Sequence, residues 1–396
     1  MKLIVIALLI GMFTIAPALS ALTSTKIIGS AGTIRYTTEV TALSGYPDDL
    51  QAAVDAAAAA GGGTVHVPAG TFDWDNQVVT IPSNVYVIGA SPAGTQGHAS
   101  SWAKNTASTI IRQTHSGGFN TMFRISGNNI RISGLELRGL VTRTDPLDGK
   151  AISIEGNSLD YRIDHCTLID FPNTAISCNF DSGLRRGVVD HCIIENPYKL
   201  QFTGSLWGYG IVAASDNYKS WDDEITHFLG KYEQVPTLFP TIYIEDNFFN
   251  LTRHAVASNQ LGWYCFRYNY VYQTYNSAVD VHGSSEIAAG GRGAEVYGNT
   301  ILSPIGIGFR GGSGVIYNND VSQCTSGIYI TKDISGIPLR PMNDLWIWDN
   351  DGTFVNYDDY YVENVNYFRR SPTVAQDGFT YTPYTYPHPL ILQTEL

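Results

Sequence analysis

The sequence predicts an all-β fold: short strands stacked into one elongated solenoid, with a helix capping its amino-terminal end. Three observations predict it. The first is a recurring pattern of one apolar residue, two variable residues, a Cys or Asn, one variable residue and a second apolar residue. It runs Ile163-Asp164-His165-Cys166-Thr167-Leu168 and Val189-Asp190-His191-Cys192-Ile193-Ile194, then Ile244-Glu245-Asp246-Asn247-Phe248-Phe249 and Phe266-Arg267-Tyr268-Asn269-Tyr270-Val271. It continues through Val296-Tyr297-Gly298-Asn299-Thr300-Ile301 and Ile316-Tyr317-Asn318-Asn319-Asp320-Val321. The second observation is the spacing. Counting a weaker copy at Leu135 and a worn one at Asn350, the pivots fall at intervals of 31, 26, 55, 22, 30, 20 and 31 residues. Repeats of that length built from β-branched runs stack so that each turn leans on its neighbours. The third is composition: 39 Gly, 12% aromatic and 15% charged residues fit a turn-rich β chain with little helix.

The elements follow in order. Residues 1–20 have a charged start, a short apolar run from Leu3 to Ile10 and small residues through Ala16-Pro17-Ala18-Leu19-Ser20, the pattern of a secretory signal. Residues 21–75 form the cap and first strands. Within them a helix is expected from Asp48 to about Ala60, capped by Asp48 and ended by Gly61-Gly62-Gly63. Leu50, Ala53, Val54 and Ala57 share one face of it and plug the open end of the stack. Thr64 to Phe72 reads as strand, turn, strand. The solenoid occupies 76–350, and its 55-residue interval marks an inserted loop region near 199–240 with a short helix at about 220–229. The tail, 351–396, is rich in Tyr and Pro; Tyr381–Leu390 is expected to be non-helical and to strap the far end of the stack.

Net charge of −12 argues against nucleic acid and anionic membrane as partners, and after the signal no segment is apolar enough to span a bilayer. Five cysteines, an odd and sparse set, do not make a disulfide framework. Cys166 and Cys192 hold the pivot in consecutive turns and are expected to stack inward as small apolar residues.

The chain resembles the right-handed parallel β-helix proteins of the pectate-lyase-like superfamily. The likeness rests on the cap helix leading into Gly62-Gly63-Thr64-Val65-His66-Val67-Pro68-Ala69-Gly70-Thr71-Phe72, on the paired Asp-His-Cys turns and on the asparagine ladder, and it covers most of residues 40–350. It implies a single-stranded right-handed parallel β-helix acting on polysaccharide, on a fold that hosts lyases, hydrolases, epimerases, esterases and adhesins. The hydrolase signatures of the polygalacturonase type do not stand here in order. Calcium-dependent lyases of this superfamily carry acidic residues on the groove; Asp164, Asp190 and Glu245 share one repeat position and are the candidates for a Ca2+ site. Alginate epimerases carry a Tyr-Gly-Phe-Asp-Pro-His motif, of which Ser277-Ala278-Val279-Asp280-Val281-His282 keeps only the Asp-x-His.

A second strand follows each pivot by eight to ten residues, centred on Ile176, Ile211, Val256, Val279, Ile307 and Ile328. With the centres inward, the residues one and three later point outward. These columns read Ser177, Val212, Ala257, Asp280, Gly308, Tyr329 and Asn179, Ala214, Asn259, His282, Arg310, Thr331. His282 is therefore expected between Asn259 and Arg310, with Asp280 beside it and Arg253 and His254 one turn earlier. Four arginines (253, 267, 292, 310) against three acids (280, 286, 295) make 253–310 net +1 on an acidic chain. A locally cationic strip suits an anionic polysaccharide. For β-elimination, Arg310 or Arg253 would bind the uronate carboxylate and His282 would take the proton. Asp280 would orient or tune His282, with His254 close by; Asn259 would bind a sugar hydroxyl or the carboxylate. Tyr329 is a substrate contact and a candidate acid for the leaving oxygen, and Arg292, on a different strand, would contact the sugar or pair with Glu295. Two other functions stay open. A glycoside hydrolase would need a second carboxylate, for which Glu286 is the candidate beside Asp280. A non-catalytic surface protein would use the flank only to hold glycan. In each case the expected location is secreted or cell-surface.

Overall fold

A computed structural model describes residues 26–28, 34–36, 38–94, 105–115, 121–140, 149–178, 183–196, 207–214, 241–283, 290–332 and 341–392. The expected signal, the 220–229 helix and Glu286 lie outside these residues. Among the described residues three parallel sheets of twelve, eight and ten strands run the length of the molecule, each strand pairing with its equivalents in the neighbouring coils. The chain is a parallel β-helix, its coils wound in the right-handed sense that parallel crossovers adopt. One coil shows the plan. Trp263–Arg267 lies in the twelve-strand sheet, Tyr270–Thr274 in the eight-strand sheet and Val279–Val281 in the ten-strand sheet.

Three inward columns make the core. Ile163, Val189, Ile244, Phe266, Val296 and Ile316 pair in register down the first sheet. Leu168, Ile194, Phe249, Val271 and Ile301 do so down the second. Ile176, Ile211, Val256, Val279, Ile307 and Ile328 line the third. All are buried. The strands are brief because every third of a coil must turn a corner.

The sharpest corner explains the pivot. The residue before it is left-handed in coil after coil: His165 (φ 49°), His191 (52°), Asp246 (57°), Tyr268 (56°) and Asn318 (52°). Holding a non-glycine residue there costs about 1–2 kcal/mol, offset by what the pivot side chain bonds. Asn299 is typical. Its Oδ1 accepts the backbone N–H of Asn269 (2.9 Å), and its Nδ2 donates to the carbonyls of Phe266 and Tyr297 and to Asn319 Oδ1. Asn247, Asn269, Asn319 and Asn350 repeat the scheme. Cys166 and Cys192 occupy the same position with Sγ over the carbonyls of Asp164 and Asp190, and all five cysteines are buried thiols outside any disulfide.

The cap helix spans Pro47–Ala59 and buries Leu50, Ala53, Val54 and Ala57. Its N-cap is Tyr46, without a side-chain cap, and Asp48 sits within the first turn. The expected Asp48 cap is therefore corrected: Pro47 has no N–H to satisfy and starts the helix one residue earlier. The expected 199–240 insertion is also divided, because Tyr209–Ala214 within it is a full strand of the ten-strand sheet.

The outer face of the twelve-strand sheet corrects two further expectations. Asp164, Asp190 and Glu245 do stack in register, but guanidinium groups satisfy them. Arg131 bonds Asp164 (2.7 and 2.6 Å), Arg162 bonds Asp190 (2.9 and 2.8 Å) and Arg267 bonds Glu245 (2.6 Å). Among the described residues no group of three His, Cys, Asp or Glu side chains is arranged to hold a metal. The carboxylates instead anchor the tail. Tyr381 donates to Glu295, Arg267 to the carbonyls of Tyr384 and Thr385, the His388 N–H to Glu245 and Arg162 to the Ile391 carbonyl. The tail thus runs back along this face instead of across the end of the stack. It covers an apolar surface of Val188, Tyr243, Trp263, Tyr297 and Trp346. Pro389–Leu392 closes it as one helical turn, so Pro389 and Leu390 are helical where extended chain was expected.

Candidate active site

The ten-strand sheet carries the candidate site. It keeps the register that the repeat spacing implies: Ser177, Val212, Ala257, Asp280, Gly308 and Tyr329 pair laterally as one column. The His282 N–H bonds the Ser258 carbonyl and the Arg310 N–H bonds the Val281 carbonyl, so His282 lies between Asn259 and Arg310. Short strands permit this because Val279 and Val281 alone anchor the segment in the core, leaving Asp280 and His282 on the outer face.

Asp280 is 2% exposed and holds Arg310 through two parallel bonds, Nε–Oδ1 at 2.9 Å and Nη2–Oδ2 at 2.6 Å. Burial pushes the Asp280 carboxyl up, but the charge of Arg310 and its bonds to the carboxylate outweigh it and leave the group below the usual carboxylate range. It stays ionised. Because both carboxylate oxygens face Arg310, that guanidinium is committed to Asp280, and the expectation that Arg310 grips the substrate carboxylate is revised. The pair is a fixed dipole in the floor of the site.

His254 lies 4% exposed at the corner entering this sheet. Its Nδ1 meets the Ser277 carbonyl at 2.6 Å and therefore carries the proton. Burial drives its pKa down to about 4 against the opposing pull of Asp280, so the ring is neutral at pH 7 with its lone pair on Nε2. Its face stacks on Tyr209 (centroids 5.5 Å apart, 15° between planes). Burial raises the Tyr209 phenol above its ordinary value, with Arg253 opposing the rise. Arg253 lies over the same ring, 5.1 Å from its centroid. Arg253 is half-buried, and among the described residues no carboxylate pairs with it.

His282 is half-buried, with Nδ1 2.8 Å from the Gly283 carbonyl, which places its lone pair on Nε2. Asn259 uses Oδ1 to accept the Gln260 N–H (2.8 Å), keeping its amide N–H groups for a ligand. Tyr329 leans across Gly308: a Cβ there would stand 2.4 Å from the Tyr329 hydroxyl, so the missing side chain lets the phenol reach over the position next to Asp280. Arg292 does not join them. It is 5% exposed and immediately precedes the strand Gly293–Tyr297 of the twelve-strand sheet, so the expected sugar contact is withdrawn. Arg267, counted in the cationic strip, likewise faces Glu245 on that other sheet.

Sequence reasoning missed Tyr209. The signal was present: the residues two before the strand centres form a column of Thr174, Tyr209, His254 and Ser277, and Thr174 and Tyr209 pair directly. Alternation would turn Ala175, Ala255 and Ala278 outward, but they lie in the core; the strands do not alternate at this corner, and Tyr209 and His254 come to lie beside Arg253 and Asp280.

No family model matches the chain, and no curated protein matches it. Solved structures similar to it include the A-module of a mannuronan C-5 epimerase from Azotobacter vinelandii, at 15% identity over 82% of this chain and 86% of that one, with a TM-score of 0.46. Another is a tailspike protein of the E. coli bacteriophage HK620, at 11% identity over 85% and 70%, TM-score 0.39. A third is a tailspike of the Acinetobacter baumannii bacteriophage Fri1, a capsular polysaccharide depolymerase, at 12% identity over 85% and 66%, TM-score 0.31.

Proposed function

We propose that this β-helix acts on carbohydrate, as a polysaccharide lyase that cleaves a uronic-acid-containing polymer by β-elimination. The observation that carries the proposal is Arg253: a guanidinium without a carboxylate partner among the described residues, fixed over Tyr209 beside a neutral His254 and the Asp280–Arg310 pair. A uronate carboxylate bound by Arg253 would be partly neutralised, and the negative charge that develops on it as the neighbouring carbon loses its proton would be stabilised. His282, half-buried two residues along the strand from the ionised Asp280, takes that proton at Nε2. The electron pair forms the C4–C5 double bond, the C4–O bond breaks, and the departing oxygen takes a proton from a phenol, Tyr209 or Tyr329. A phenol holds such a proton at neutral pH until the leaving oxygen needs it.

Hydrolysis fits less well. It needs two carboxylates at the scissile bond, and among the described residues this cluster holds one, Asp280, already engaged by Arg310. Epimerisation shares the first proton transfer and differs in returning a proton to the opposite face. In this proposal the protein works outside the cell, a reading supported by the signal-like residues 1–20 and by a polymeric substrate.

The test is incubation with pectate, alginate, glucuronan and glycosaminoglycans, with and without a chelator, following the ultraviolet absorbance of an unsaturated product. Reducing ends without that absorbance would indicate a hydrolase; saturable binding without any product would indicate a glycan-holding surface protein. If His282→Ala and Arg253→Ala both keep full activity on the polymer that is cleaved, the residue assignment is wrong.

A further inference from the structure

The surface just outside this cluster holds two exposed aromatic rings that the proposed chemistry leaves unused. Tyr272 is 52% and Tyr275 46% exposed. Both stand on the coil of Asp280 and His282, at and before the corner between the eight-strand and ten-strand sheets. Tyr275 adjoins Arg253 directly: its N–H bonds the Thr252 carbonyl (2.8 Å), and the next N–H, of Asn276, bonds the Arg253 carbonyl (2.9 Å). Arg253 is thus flanked by Tyr209 on one side and by the coil of Tyr275 on the other.

Alternation after the inward Val271 turns Tyr272 outward, and the backbone beside it is irregular. Phe249 pairs with Val271, but Asn250 pairs with Gln273, so Tyr272 is an extra residue in the ladder. Leu251, left-handed at φ 57°, absorbs the matching residue on the other strand, and Thr252 regains register with Thr274. A bulge of this kind re-aims a side chain and is found beside active sites. Behind it, Phe248 and Tyr270 stack (5.8 Å, 12°) and floor the flank with apolar surface.

We infer that Tyr272 and Tyr275 form a saccharide-stacking platform, which takes the sugar rings adjoining the uronate held by Arg253 and leads the polymer around the corner onto the flank of the eight-strand sheet. The inference rests on the proposed polysaccharide chemistry. Pyranose rings present faces of C–H bonds, which pack on the electron-rich face of a phenol, while their hydroxyls stay in water at the rim. Three residues along a strand span about 10 Å, room for two such rings. Arg253 is the cation at the start of this path, and Phe248, Tyr270, Tyr272 and Tyr275 add no negative charge; among the described residues the nearest acid on the flank is Glu195, one coil earlier, bonded to Asn250.

The experiment compares the wild type with Tyr272→Ala/Tyr275→Ala and Tyr272→Phe/Tyr275→Phe. Each protein is run in native gels cast with pectate, alginate, glucuronan or hyaluronan, and assayed for unsaturated product. Because both rings are exposed, the thermal midpoint should not move. For the polymer that retards the wild type, the alanine pair should lose most of the retardation and raise KM about fivefold to tenfold, with the loss in KM more than in kcat. The phenylalanine pair should match the wild type, since the ring face and not the hydroxyl is used. An alanine pair that migrates and turns over like the wild type overturns the platform and leaves the lyase proposal standing. Retardation that depends on the two rings, with no product from any polymer, upholds the platform and removes the lyase proposal. A wild type retarded by none of the four overturns the platform.

Discussion

At the residue scale, His254 shows how burial sets chemistry. Folding takes its imidazole from an ordinary value of 6.5 down to about 4, because the corner strips water from it and this outweighs both the nearby Asp280 charge and the Ser277 carbonyl that Nδ1 meets. The unfolded chain therefore binds a proton between those values that the folded chain refuses. Stability is full above pH 6.5, falls as pH drops through that window and levels off below about 4, a loss on the order of 3 kcal/mol. His254→Gln should remove this share of the pH dependence, which urea unfolding from pH 7 to 4 on both proteins measures. Arg253 lies in the same corner, and in the proposed mechanism it works on the ligand. Arg253→Ala should raise KM on the cleaved polymer at least about tenfold while the midpoint of unfolding holds; a variant with unchanged KM would mean that the carboxylate is gripped elsewhere. Asp280, His282 and Arg310 could be read as neighbours from spacing alone. Their bonding could not, since alternation says which way a side chain points and not which partner it meets first.

At the scale of the element, the left-handed corner with its asparagine is the repeating device. Asn299 satisfies one backbone N–H and two carbonyls that are otherwise sealed from water, and it links to the next rung. Asn299→Ala leaves those groups without partners and should cost about 3 kcal/mol, read from urea unfolding. Asn250→Ala, at a half-buried position on the outer face of a strand, gives up one bond, to Glu195 (3.2 Å), and should cost about 1 kcal/mol. The ladder was legible in the sequence because each rung sits at the same place in its repeat. The corner before the ten-strand sheet was less legible. It has no fixed pivot, its loops vary in length, and the outward turn of Tyr209 and His254 there breaks simple alternation. The bulge beside Tyr272 is likewise invisible in a single strand, because it is a mismatch between two.

At the scale of the whole molecule, each coil leans mainly on its neighbours, and the tail is an exception that ties distant coils together. It contacts Glu295, Arg267, Glu245 and Arg162 in turn. Deleting residues 380–396 should bare Tyr243, Tyr317 and Trp348, which pack on Tyr384, His388 and Tyr381, lower the thermal midpoint and raise binding of a hydrophobic dye. Activity measured well below the new midpoint should persist, because the candidate site lies on a different sheet. Loss of activity in step with the midpoint at every temperature would show instead that the two walls are coupled.

The sequence by itself determined the coil. Periodic apolar residues, a left-handed corner and a polar pivot recur at one register, and that register fixes which residues become neighbours. Only the tertiary structure decided the pairing of charges: guanidinium groups for the three stacked carboxylates, Asp280 for Arg310, and an aromatic face for Arg253. The physical reason is one of range. Strand periodicity is local and can be read from a few consecutive residues, whereas the partner of a charge depends on burial and on side chains brought close by coils 20 to 55 residues away.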